Sequence, residues 1–118
     1  MSTPNELFQS GYMTSAIEWI GEQIPGGFFI YRADAEMELL YVNSAVRIMY
    51  GCDTDEEFRE LTGYTFKGMV HPDDYESIDQ SIEEQIHDQK AANRDHVEYR
   101  IIRKDGSIRW VDDYGHFA

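Results

Sequence analysis

Met13, Ile17, Ile20 and Ile24 fall three or four residues apart, which is the spacing of one face of a helix. Ser15 and Glu18 occupy capping-box positions and Pro25-Gly26-Gly27 supplies a stop, so the pattern predicts an amphipathic helix over residues 13–25 behind a polar arm over 1–12. The period then changes. Residues 28–32 and 38–42 are aromatic and aliphatic runs around a polar stretch, and they predict a β-hairpin whose strands are covered on both sides. Asn43 is placed to cap a short helix through Tyr50 with Gly51 as its stop, and Thr54 with Glu57 predicts a second capped helix ending near Gly63. Tyr75, Ile78, Ile82 and Ile86 form the stripe of a longer helix from Asp73 to about Lys90.

The last stretch, HVEYRIIRKDGSIRWVDDYGHF, alternates like a strand on both sides of Asp105-Gly106 and predicts a hairpin with a two-residue turn. That turn sets Arg103 opposite Ile108 and Ile101 opposite Trp110, so that Val97, Tyr99, Ile101, Ile108 and Trp110 share a face. The other face then carries Glu98, Arg100, Lys104, Arg109 and Asp113, with Ile102 and Val111 as an apolar island that the 13–24 helix is available to cover.

A chain of 118 residues is long enough for one core, and the strand-helix-strand order predicts a single α+β domain. Its net charge of −13 opposes contact with nucleic-acid backbones or anionic membrane surfaces. One cysteine, Cys52, allows no intramolecular disulfide and fits a reducing, cytoplasmic setting. No apolar run approaches the ~20 residues that span a bilayer.

The segment GMVHPDDYESI gathers His71, Asp73 and Asp74 within four positions. A metal-dependent enzyme built around His71 is one reading, but no HxxxH, HExxH or calcium-loop pattern completes a shell. A helix start explains every position, with Pro72 in the first turn and Asp73 and Asp74 at the positive end of the helix dipole. Neither a catalytic set nor a metal-ligand set is expected, and nucleophile-elbow and phosphate-loop patterns do not occur.

Three ordered motifs carry a family resemblance: YVNSAVRIMYG at 41–51, VHPDD at 70–74 and YRIIRKDGSIRWV at 99–111. The chain resembles a PAS domain of the kind common in bacterial signalling proteins, the first motif matching a second strand and first helix, the second a helix start, and the third two paired strands. The resemblance covers about residues 26–117 and assigns 26–118 to the domain. It implies an antiparallel sheet, normally of five strands, with short helices on one face, and the last strand is expected to be missing because the sequence ends where the fourth would finish.

The resemblance also implies a sensory or regulatory role, non-enzymatic, controlling a C-terminal kinase or diguanylate cyclase-type output. A ligand-free dimerisation module is the alternative. The ligand pocket is expected among Phe29, Tyr31, Tyr41, Met49, Phe66, Met69, Ile78, Ile82, Tyr99 and Trp110, whose plain alternative is close-packed core. The ligand itself is left unassigned: the flavin branch's reactive-cysteine motif is replaced by Gly63-Tyr64-Thr65-Phe66-Lys67, and His87 lies off the helix stripe where haem would need it. Met13, Ile17, Ile20 and Ile24 form the expected seam of a homodimer.

Overall fold

Asn43 organises the first half of the molecule. It is buried, and all its hydrogen-bonding capacity is used: Oδ1 accepts from Phe28 N (3.0 Å) and Val46 N (3.2 Å), while Nδ2 donates to Gly21 O (3.0 Å) and Gly26 O (3.1 Å). One short polar side chain therefore caps a helix, starts a strand and holds the end of the preceding helix. The computed structural model describes residues 11–88, 90 and 92–117, with side chains from Ser15 onward.

The elements in order are α1 (Gly11–Gln23), β1 (Phe29–Tyr31), β2 (Leu39–Val42), α2 (Ser44–Met49), α3 (Asp55–Thr62), α4 (Phe66–Met69), α5 (Tyr75–Ile86), β3 (Arg94–Ile102) and β4 (Ile108–His116). The expected arm over 1–12 lies almost wholly outside the described residues. Helix α1 is present from Gly11, so Ser15 and Glu18 lie inside it and do not form the expected capping box at its start. The Thr54 cap forms, its hydroxyl accepting from Glu57 N, and Glu57 reaches back to Asp53 N. Gly63 closes α3 in the left-handed conformation.

Two antiparallel hairpins, β1–β2 and β3–β4, make the sheet structure, and no ladder joins them among the described residues. Between and over them lies a core that includes Leu39, Tyr50, Phe58, Phe66, Ile78, Ile82, Tyr99 and Ile101. This is the expected α+β arrangement of short helices with antiparallel strands.

The β3–β4 hairpin differs from its expected register by one residue. Ile101 pairs with Arg109, Tyr99 with Val111 and Val97 with Asp113, around a three-residue loop in which Gly106 N donates to Arg103 O (2.8 Å) and Gly106 has φ +85°. Contacts outside the hairpin fix this choice: Lys104 N donates to Tyr50 O (2.8 Å), Arg103 Nε donates to Met49 O (3.1 Å), and Lys104 pairs with Glu57. A shift of one residue exchanges faces for the whole of β4. Ile108 and Trp110 therefore lie outside, and Val111 and Asp113 turn inward. Helix α1 does not cover Ile102 and Val111; it sits against β2 and α2, where Tyr41 Oη donates to Glu18 O (3.3 Å) and Ser44 N donates to Glu22 Oε1 (2.8 Å).

The GMVHPDDYESI segment does open a helix, but α5 starts at Tyr75, and the Asp74 carboxylate does not cap it. Asp74 turns to Arg100 on β3, accepting from Nη2 (2.6 Å), Nε (3.1 Å) and the backbone N (2.9 Å). His71 joins the same junction through its N–H to Arg100 O (2.8 Å).

Candidate functional site

The inward face of β3–β4 meets β1 and α4 at a stack of aromatic rings. Tyr31 lies nearly parallel to Phe66, with centroids 4.6 Å apart and planes at 9°, and Phe29 stacks on Phe66 at 6.1 Å. Tyr99 meets Phe66 edge-on at 6.1 Å. These four of the expected pocket residues pack together, with Met69, Ile78 and Ile82 buried in the same core.

Three other expected pocket residues do not join them. Trp110 is 69% exposed on the outer face because of the register shift, and Met49 is exposed at the end of α2. Tyr41 is buried under α1, where its ring lies so near Gly21 that a Cβ there would overlap it. A cleft of about 600 Å³ does exist near Tyr41, between α1, β2 and α3, and its rim is charged: Glu18, Glu22, Asp55, Arg47 and Arg59.

A polar residue that the sequence pattern placed on the opposite face enters the aromatic interior instead. Asp113 accepts a 2.8 Å hydrogen bond from Tyr99 Oη. Burial pushes its carboxyl pKa up, and the nearby Asp95 carboxylate adds to that. Burial likewise raises the Tyr99 and Tyr31 hydroxyls, with Asp113 contributing to both. A carboxyl group held by Tyr99 within an aromatic surround is the kind of polar handle that orients a small ligand. Only the true register could have revealed it, because Asp113 faces inward by being the partner of Val97.

The other singled-out residues have structural places. Cys52 is buried and its thiol pKa is raised by burial, which suits packing and opposes reactivity. His71 Nδ1 accepts from Asp73 N (3.1 Å), so the local turn uses that atom. His87 is exposed beside Glu83. Ile20 of the expected seam is exposed, Ile17 and Ile24 are half-buried, and the Met13 side chain lies outside the described residues. No described helix is long and apolar enough to cross a membrane.

Residues 39–118 match the family profile described as the PAS fold, which is more than half of the chain, and the chain belongs to that family. A solved structure, the PAS domain of a GGDEF family protein from Chromobacterium violaceum ATCC 12472, is 26% identical over 78% of this chain and 79% of its own, with a TM-score of 0.34. No curated protein matches the chain.

Proposed function

We propose that the chain is a regulatory PAS module of a signal-transduction protein, non-catalytic and cytoplasmic, which works as a pair of identical chains and controls a C-terminal output of the kinase or diguanylate cyclase type. The outer face of β3–β4 near the turn carries this reading. Ile102 and Ile108 pair across the strands there, Trp110 follows on β4, and the three are 36%, 51% and 69% exposed. Large apolar side chains grouped on one sheet face are the usual mark of an association surface. Trp19 and Ile20 on α1 are also exposed, so the helix offers a second apolar surface, which shares Ile20 with the expected seam of Met13, Ile17, Ile20 and Ile24. The test is solution molar mass by light scattering, with twice the 13.8 kDa of one chain expected.

Asp113 favours a second role for the same module, the sensing of a small molecule in the aromatic interior. The residues that would receive it are Phe29, Tyr31, Phe66 and Tyr99, with Asp113 as the polar anchor. Mass spectrometry of the small molecules released when purified protein is denatured tests this directly. A stoichiometric compound supports sensing, and its absence leaves pairing as the module's role.

A further inference from the structure

Glu98 and Asp112 stand directly opposite each other on the outer face of β3–β4, farther from the turn than the apolar group. Like charges in that relation repel. His96, two residues earlier on the same face, brings Nε2 to 3.0 Å from Asp112 Oδ1, and one ligand atom from each of the three residues lies within 4.8 Å of the others. We propose that His96, Glu98 and Asp112 form a surface site for a divalent transition-metal ion of the zinc class.

The donor set selects the class of ion. One imidazole nitrogen with two carboxylate oxygens suits Zn²⁺ and its first-row neighbours, whereas Mg²⁺ and Ca²⁺ favour oxygen alone. Ligand atoms around a tetrahedral zinc sit roughly 3.3 Å apart; His96 Nε2 and Asp112 Oδ1 are already 3.0 Å apart, and the exposed Glu98 side chain, within 4.8 Å of both, is the one left to close the set. The ion would also remove the repulsion between the facing carboxylates. A neighbouring hollow of about 160 Å³, bounded by Glu98, Trp110, Val111 and Asp112, leaves room for the water that completes its shell.

His96 is held for this role more firmly than a surface histidine needs to be. Its backbone is clamped by Gln85 of α5, which accepts from His96 N (2.8 Å) and donates to His96 O (3.0 Å). Its ring lies parallel to Tyr114 at 4.2 Å, with an interplanar angle of 7°. A ligand fixed in both backbone and ring plane loses little freedom on binding. Two arginines flank the cluster on this face of β3: Arg100 is committed to Asp74, and Arg94 lies beyond His96 at the far end of the strand, away from Glu98. Sequence spacing misses the site because a strand pair assembles it from residues 16 apart.

All three donors come from one chain, so the ion binds whether or not the neighbouring apolar surface pairs with a second copy. Isothermal titration with Zn²⁺ at neutral pH is the test, on the full chain and on His96→Ala, Asp112→Asn and His87→Ala, each checked for native circular dichroism. The expected result is one ion per chain, affinity reduced about tenfold or more by either of the first two changes, and no effect of His87→Ala. Histidine-ring NMR of the unmutated chain gives an independent reading, with the His96 ring shifting first as Zn²⁺ is added. Undetectable binding, equal affinity in His96→Ala, or first shifts at another histidine would overturn the assignment.

Discussion

Asp74 and Arg100 join the start of α5 to β3 through a two-pronged ion pair reinforced by the Arg100 backbone N–H. The arrangement lowers the Asp74 pKa from 3.8 to about 2, through the Arg100 side-chain hydrogen bonds first and the backbone hydrogen bond second. Because the folded value lies below the unfolded one, the contribution is complete above about pH 4 and is lost as pH falls toward 2. Asp74→Ala should therefore cost about 1–2 kcal/mol at neutral pH, after allowance for solvent screening, and much less near pH 2. Urea unfolding at the two pH values measures the difference, and an equal loss at both would remove the ion pair as its cause.

Asn43 is the second junction. Asn43→Ala leaves the Phe28 N–H and the Gly21 and Gly26 carbonyls without their partner, and should destabilise by about 2 kcal/mol or more. Asn43→Asp should be worse at neutral pH, since a carboxylate would then face two carbonyl oxygens. Hydrogen exchange should show α1 loosening in both variants, and an α1 as protected as in the parent would contradict the role given to Nδ2.

Junctions of this kind explain what was legible in the sequence. The Asn43 and Thr54 caps act within three residues, so their identity and spacing announced them. The partners Asn43 finds in α1, and those Asp74 finds on β3, lie more than 15 residues away and leave no local trace. The β3–β4 register was decided at the same range. Asp-Gly serves both two- and three-residue turns, and the contacts of Arg103 and Lys104 with Met49 and Tyr50 select the longer one. That single residue moved Trp110 out of the expected pocket and Asp113 into the aromatic interior.

Gly106 sits at φ +85°, where a β-branched side chain is strained. Gly106→Val should lower stability by at least ~1 kcal/mol through backbone strain, since an added Cβ itself meets no atom within 4 Å. A melting temperature equal to that of the parent would mean that the loop adopts another turn.

Asp113 should respond to pH in the sense opposite to Asp74. Its folded pKa is raised by burial, so the protonated form is favoured in the folded chain, and stability falls as pH rises from the ordinary carboxyl range through the raised value. Asp113→Asn keeps an oxygen for the Tyr99 hydroxyl and removes the titration. The variant should melt higher than the parent at neutral pH and lose that advantage in acid. An advantage that does not change with pH would show that Asp113 titration is not its source.

Pairing through the outer face of β3–β4 is tested by the molar mass of the chain in solution beside that of Ile108→Glu/Trp110→Glu. Both side chains are more than half exposed, so the double change should leave the fold intact by circular dichroism while breaking the proposed surface. The parent is expected to be a dimer at tens of micromolar and the variant a monomer. A monomeric parent, or a variant that stays as dimeric as the parent, would contradict pairing through this face.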